Sequence, residues 1–202
     1  MTLFLTSSGL SAENIGYLQS LIPVHTEGKV LKVAYIATAT NGELGKKITE
    51  IDPEDRPTWL QEDFRKLEPL DFTVTFINLE DENEETIVPK FSGFDVVYVQ
   101  GGNTFYLMHY ANVSGFKKHI HEILKDKIYF GISAGSIIAG PDISLAGWEG
   151  ADKNDIGLED MSGLSLVDFC IMPHWDGSLA QESKIYPYEI KYIKDGEYII
   201  QK

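Results

Sequence analysis

At 202 residues the chain has the length of one ordinary domain, and its 43% apolar and 24% charged residues match a soluble globular protein. A formal charge of −14 excludes the basic surface that nucleic acid or an anionic membrane requires, and the single cysteine, Cys170, excludes an internal disulfide framework. No stretch reaches the roughly 20 apolar residues of a membrane span, and no basic region precedes the short apolar run at the amino terminus, so a cytoplasmic location is expected.

Six apolar runs predict strands: Thr2–Leu5, Val30–Ala37, Phe72–Leu79, Phe94–Val99, Ile128–Gly131 and Leu164–Met172. Several are β-branched and nearly continuous, as strands buried on both faces of a parallel sheet must be. Between the first two, Ile15, Leu18, Leu21 and Ile22 fit one helix face, and Phe116, Ile120, Ile123 and Leu124 fit another before the fifth strand. Strands alternating with helices predict one α/β domain over residues 1–202, with a doubly wound, mostly parallel sheet sandwiched by helices. The acidic run Glu80–Glu85 reads as a solvated loop. In the tail, two short apolar runs flank Asp195-Gly196, which predicts a C-terminal β-hairpin with a structural role.

The strand ending at Phe130 leads into Gly131-Ile132-Ser133-Ala134-Gly135, followed by small and apolar residues. Strand, sharp turn and helix around a serine flanked by glycines is the setting of an exposed nucleophile, with the amide of Ala134 free to stabilise an oxyanion. A helix-capping serine is the alternative reading. Ser136, inside the first helical turn, is expected to be structural. The turn Gln100-Gly101-Gly102-Asn103-Thr104 follows the fourth strand, where paired glycines let backbone approach a ligand and Asn103 or Thr104 can cap a helix. The amide of Gly102 or its neighbour would be a second oxyanion donor.

A serine nucleophile needs a base. His119 and His121 sit among lysines as surface residues, His109 follows Met108 on a helix, and His25 falls in a polar loop. His174 comes directly after the run Leu164–Met172 and Pro173. That places it at the carboxyl end of a strand, where open α/β sheets assemble their sites.

Three segments in this order, VQGGNTFYL (99–107), YFGISAGS (129–136) and VDFCIMPH (167–174), resemble the peptidase E (dipeptidase E) family of serine peptidases. Leu3–Ser8 and Val33–Thr38 suit the same family, so the resemblance spans nearly the whole chain. It implies a sheet like that of class I glutamine amidotransferases, Ser133 as nucleophile, His174 as base, and the amides of Gly102 and Ala134 as the oxyanion hole, with Asn103 beside them. The implied chemistry is acyl transfer on short peptides without a metal or organic cofactor, in a monomer or homodimer. The resemblance also implies an acid in an Asn-Asp segment, best matched by Asn154-Asp155, which nominates Asp155. Asp142, Asp152, Asp176 and Glu189 are the alternatives. The superfamily includes cyanophycinases, so another acyl hydrolase or a catalytically silent ligand-binding relative are the rival readings.

The best-known members of that family cleave after an amino-terminal aspartate, using basic residues in the segment after the histidine. Here residues 175–184 contain no arginine, only Lys184, and the chain has only Arg56 and Arg65. A bidentate clamp for a substrate carboxylate is therefore not expected.

Overall fold

Continuous apolar runs become fully buried strands, and the one alternating run becomes an edge. In the computed structural model, which describes residues 1–11, 14–17, 30–67, 72–178 and 180–202, β1 (Thr2–Thr6), β2 (Lys32–Ile36), β3 (Thr73–Ile77), β4 (Val96–Val99) and β5 (Ile128–Ile132) run parallel. Every residue of β4 and β5 is buried, whereas β3 alternates exposed threonines with half-buried Val74 and Phe76 at the sheet margin. The predicted residues Leu18, Leu21, Ile22 and His25 lie outside the described ones.

Among the described residues the helices from Thr38 onward are α1 (Thr38–Leu44), α2 (Thr58–Leu67), α3 (Ile87–Lys90), α4 (Thr104–Val113), α5 (Ile120–Ile123) and α6 (Ala134–Ile137). They cover both faces of the sheet. Leu3, Leu5, Ile36, Val97 and Val99 share one core with α4 and α6, while Phe4, Val33, Tyr35, Tyr98 and Phe130 share the other with α2. Period-two alternation along each strand sorts these residues to their faces. Of the predicted helical face Phe116–Leu124, all four apolar residues are buried, but only the single turn α5 is helical. No helix among the described residues is long and apolar enough to cross a membrane.

On the α2 face an aromatic ladder crosses five strands. Tyr198, Phe4, Phe130, Tyr98 and Tyr35 stack in sequence with centroids 4.8–4.9 Å apart and planes within 16°. In-register pairing of Phe4 with Phe130, Phe130 with Tyr98 and Tyr98 with Tyr35 sets this spacing.

The carboxyl-terminal third corrects two expectations. The run Leu164–Met172 forms a strand only at β6 (Cys170–Met172). Upstream, the amides of Gly163, Leu164, Ser165 and Leu166 bond to carbonyls of residues 138–141, so they are unavailable to a sheet ladder. The tail is not a hairpin. β7 (Ile190–Tyr192) pairs parallel with β6 in a separate two-stranded sheet, while β8 (Tyr198–Gln201) pairs antiparallel with β1 at the edge of the main sheet. The predicted turn does exist, with Glu197 N–H donating to the Lys194 carbonyl at 2.9 Å and Gly196 at φ 88°. It joins strands of two different sheets. Because β8 is antiparallel, this turn arrives at the carboxyl edge of β1, beside the ends of β4 and β5.

Candidate active site

Ser133 follows β5 at φ 47° and ψ −109°, outside the regions that L-residues favour. Holding a non-glycine residue there costs on the order of 1–3 kcal/mol, which the surroundings must offset. Several contacts do so. Ser133 N–H donates to the Thr6 carbonyl at 3.0 Å, and the buried Ser136 hydroxyl sits 2.8 Å from the carbonyls of both Thr6 and Gly131. A Cβ on Gly135 would lie 2.2 Å from the Val99 carbonyl, so only glycine lets α6 dock this closely on β4. A Cβ on Gly101 would lie 3.1 Å from Ser133 Cβ, which brings the turn after β4 against Ser133.

His174 lies two residues past β6, also at positive φ (55°). In-register pairing of Met172 with Tyr192 sends the two chains out of the small sheet side by side, so His174 and Asp195 meet. The imidazole Nε2 is 3.0 Å from Ser133 Oγ, and Nδ1 is 2.7 Å from Asp195 Oδ1. Ser7, fully buried after β1, joins the two. Its Oγ accepts from the His174 amide at 2.7 Å and donates to Asp195 Oδ1 at 2.8 Å. Ser8 Oγ accepts from the Gly196 amide at 3.0 Å and secures the turn from below.

The protonation pattern follows from these contacts. Burial alone would raise the Asp195 carboxyl, but hydrogen bonds from Ser7 and His174, the His174 charge and Ser8 outweigh it and hold the group below the ordinary aspartate value. An ionised carboxylate only accepts, so the ring hydrogen sits on Nδ1 and Nε2 faces Ser133 as an acceptor. That is the tautomer a general base requires.

The other expected residues fall into place around this line. The acid beside His174 is Asp195, not Asp155, which is exposed and lines the cleft without contacting the imidazole. Asp142 accepts from Ser144 and Tyr186, Asp176 from Ser178, and Asp152 from the Thr104 amide, while Glu189 is exposed. None of these four bonds the imidazole. Asn103 is engaged structurally: its Oδ1 caps α4 through Tyr106 N–H at 2.9 Å, and its Nδ2 donates to the Lys153 carbonyl at 2.9 Å. Gly102 takes φ 127°, where a Cβ would meet the Ala39 carbonyl at 2.4 Å. Ala134 is the first residue of α6, so its amide has no acceptor within the helix. In the acidic run the nearly buried Glu82 side chain pairs with Lys90, and exposed Glu84 pairs with Lys118.

Ser133 and His174 line two cavities. The larger, about 740 Å³, is bordered by Ser7, Gly9, Asp63, Gly101 and Gly102. The smaller, about 370 Å³, is bordered by Leu145, Trp148, Met172, Trp175 and Tyr192. The larger carries the carboxylates of Glu43, Glu62, Asp63, Asp152 and Asp155 against two ammonium groups, Lys66 and Lys153. Neither arginine borders either cavity, and Arg56 lies over the Phe76 ring at 5.1 Å instead.

Several proteins of similar sequence and fold are described as peptidases. The model of peptidase family S51 matches residues 3–190. An uncharacterized peptidase of Listeria monocytogenes serovar 1/2a is 29% identical over 222 aligned positions, covering 99% of this chain and 98% of that one. One from Listeria innocua serovar 6a is 30% identical, covering 86% and 76%. A crystal structure of a protein assigned as peptidase E from Listeria monocytogenes EGD-e superposes with a TM-score of 0.69 at 26% identity, covering 100% of this chain and 98% of that one. The fold is shared as well with a peptidase from an acI-B1 actinobacterium, at a TM-score of 0.70 and 18% identity, covering 100% and 83%.

Proposed function

The chain belongs to peptidase family S51 as a serine-type peptidase, and on that premise we propose that it hydrolyses short peptides through an acyl-enzyme on Ser133. The observation that carries the reading is the unbroken line from Ser133 Oγ through His174 to Asp195, at 3.0 and 2.7 Å. Ser133 Oγ attacks the scissile carbonyl while His174 Nε2 takes its proton, and the oxyanion develops toward the amides of Gly102 and Ala134. His174 then gives the proton to the leaving amine. Water, deprotonated by the same nitrogen, releases the acyl group and regenerates the serine. Asp195 keeps the proton on Nδ1 and stabilises the imidazolium that forms.

Two cavities meeting at the nucleophile suit a substrate with a residue on each side of the scissile bond. The carboxylates of the larger cavity oppose an acidic side chain, and no arginine is there to hold one, so aspartyl dipeptides are not the preferred class.

The test is labelling by a fluorophosphonate probe, with peptide turnover measured in parallel. Wild type should label and cleave, and Ser133→Ala should do neither. An unlabelled wild type, under conditions where a control serine hydrolase reacts, refutes the reading.

A further inference from the structure

Of the ionisable groups on the larger cavity that acyl transfer leaves unused, one is buried. Asp63, on α2, is only 5% exposed. Its Oδ2 accepts three hydrogen bonds, from Tyr98 Oη at 2.7 Å, Gln100 Nε2 at 2.9 Å and Tyr35 Oη at 3.1 Å. These donors fix the plane of the carboxylate. Its Oδ1 accepts none among the described residues, and Asp63 borders the same cavity as Ser133 and His174. Gly9 stands beside that oxygen, where a Cβ would lie 3.3 Å from it, so the absence of a side chain leaves Oδ1 open to the cleft.

An acid serving only to anchor two tyrosines and a glutamine has little reason to be charged, because an amide oxygen would accept the same bonds without the cost of desolvating a carboxylate. Burial does raise the Asp63 carboxyl, against the hydrogen bonds from Tyr98 and Tyr35, the charge of Lys66, and Gln100. Lys66 acts through its charge alone and donates no hydrogen bond to Asp63. The buried carboxylate thus lacks a bonded countercharge, and its free oxygen faces the place where substrate binds.

We propose that Asp63 Oδ1 recognises a protonated amine of the substrate, which makes it a specificity-determining residue of the same cleft. The inference rests on the peptidase reading. A primary ammonium would supply both the missing charge and the missing donor, and Glu43, Glu62, Asp152 and Asp155 around the cavity favour a cationic group over an anionic one. In a short peptide the amine is the free amino terminus or a lysine side chain.

Calorimetric titration of Ser133→Ala separates substrate recognition from turnover. Ala-Leu should bind at least about tenfold more tightly than N-acetyl-Ala-Leu, the loss expected for one charge-assisted hydrogen bond. Adding Asp63→Asn should abolish that preference while changing the affinity for the acetylated peptide little, since asparagine keeps an acceptor for the tyrosines. N-acetyl-Lys-Leu identifies the source: binding tighter than N-acetyl-Ala-Leu shows that a side-chain amine is taken, and binding as weak as N-acetyl-Ala-Leu assigns the amine to the amino terminus. Equal affinity for Ala-Leu, N-acetyl-Ala-Leu and N-acetyl-Lys-Leu overturns the proposal, and that comparison needs no substitution at Asp63. An equal loss for both peptides in Asp63→Asn also overturns it, leaving a structural role. Wild type that labels with the fluorophosphonate while Ser133→Ala ignores the amine sinks this inference alone. Wild type that does not label sinks the peptidase reading.

Discussion

Substituting asparagine for Asp195 keeps the shape of the side chain and removes its charge, so it isolates what the carboxylate contributes to acyl transfer. On the proposed mechanism His174 takes the serine proton, and the imidazolium that forms has Nδ1 2.7 Å from Asp195 Oδ1. With charge centres roughly 4 Å apart, the attraction is about 1 kcal/mol at the dielectric of water and about 4 kcal/mol at an effective value near 20. The side chains of His174 and Asp195 are 51% and 64% exposed, so screening keeps the electrostatic part in the lower half of that range. An amide nitrogen turned toward Nδ1 would add to the loss by driving the ring hydrogen onto Nε2, where it blocks proton transfer from Ser133. Together these give about 2–4 kcal/mol, or a fall in kcat of about 30- to 1,000-fold. That is smaller than the roughly 10⁴-fold typical when a buried triad aspartate is amidated. Because Asp195 does not line either cavity, KM should move little. Dipeptide turnover and the rate of fluorophosphonate labelling should fall together. If Asp195→Asn keeps near-wild-type kcat while Asp155→Asn loses it, the acid has been assigned to the wrong carboxylate.

Three further outcomes are expected. Ser7→Ala leaves the His174 amide without its acceptor and removes one of the donors to Asp195, so stability should drop by about 1–3 kcal/mol in urea unfolding and kcat should fall with it; unchanged values of both would show that the Ser7 bridge is idle. In parallel assays Asp-Leu should turn over no faster than Ala-Leu, and a strong preference for Asp-Leu would refute the electrostatic account of the larger cavity. The folded chain holds the Asp63 proton to a higher pH than the unfolded chain does, because burial raises that carboxyl. Wild type should therefore lose stability relative to Asp63→Asn as pH climbs from the ordinary aspartate value to the raised one, then stay level above it. Urea midpoints for both proteins across acidic and neutral pH read this directly, and a difference that does not vary with pH contradicts it.

Ser133 and His174 were each legible as the residue that follows a strand run, but β6 lies in a separate two-stranded sheet, so the edge of one parallel sheet is not what brings them together. Gly102 and Gly135 were legible through the turn motifs that carry them, although the carbonyls their missing side chains make room for, those of Ala39 and Val99, lie far away in the chain. Asp195 was not. It reaches His174 only because β7 pairs with β6 and β8 pairs with β1, and pairing across such separations leaves no local trace. Asp195-Gly196 did announce a turn, but two flanking apolar runs cannot say whether they pair with each other or with strands elsewhere. The family match also ends at residue 190, before the acid is reached. Asp63 did carry a signal, since it shares the buried face of α2 with Leu60 and Leu67 at helical spacing. An acid on an apolar face requires partners, and here they came from the tyrosines of the aromatic ladder.

The antiparallel strand β8 also bears on how the protein is made. Synthesis delivers Ser133 first, then His174, then Asp195, and at about 5–20 residues per second the 21 positions from His174 to Asp195 (195 − 174) take about 1–4 s. The turn holding Asp195 is anchored where β8 docks on β1, a strand made long before it. On the proposed mechanism, orientation of His174 is thereby tied to the pairing of β8 with β1.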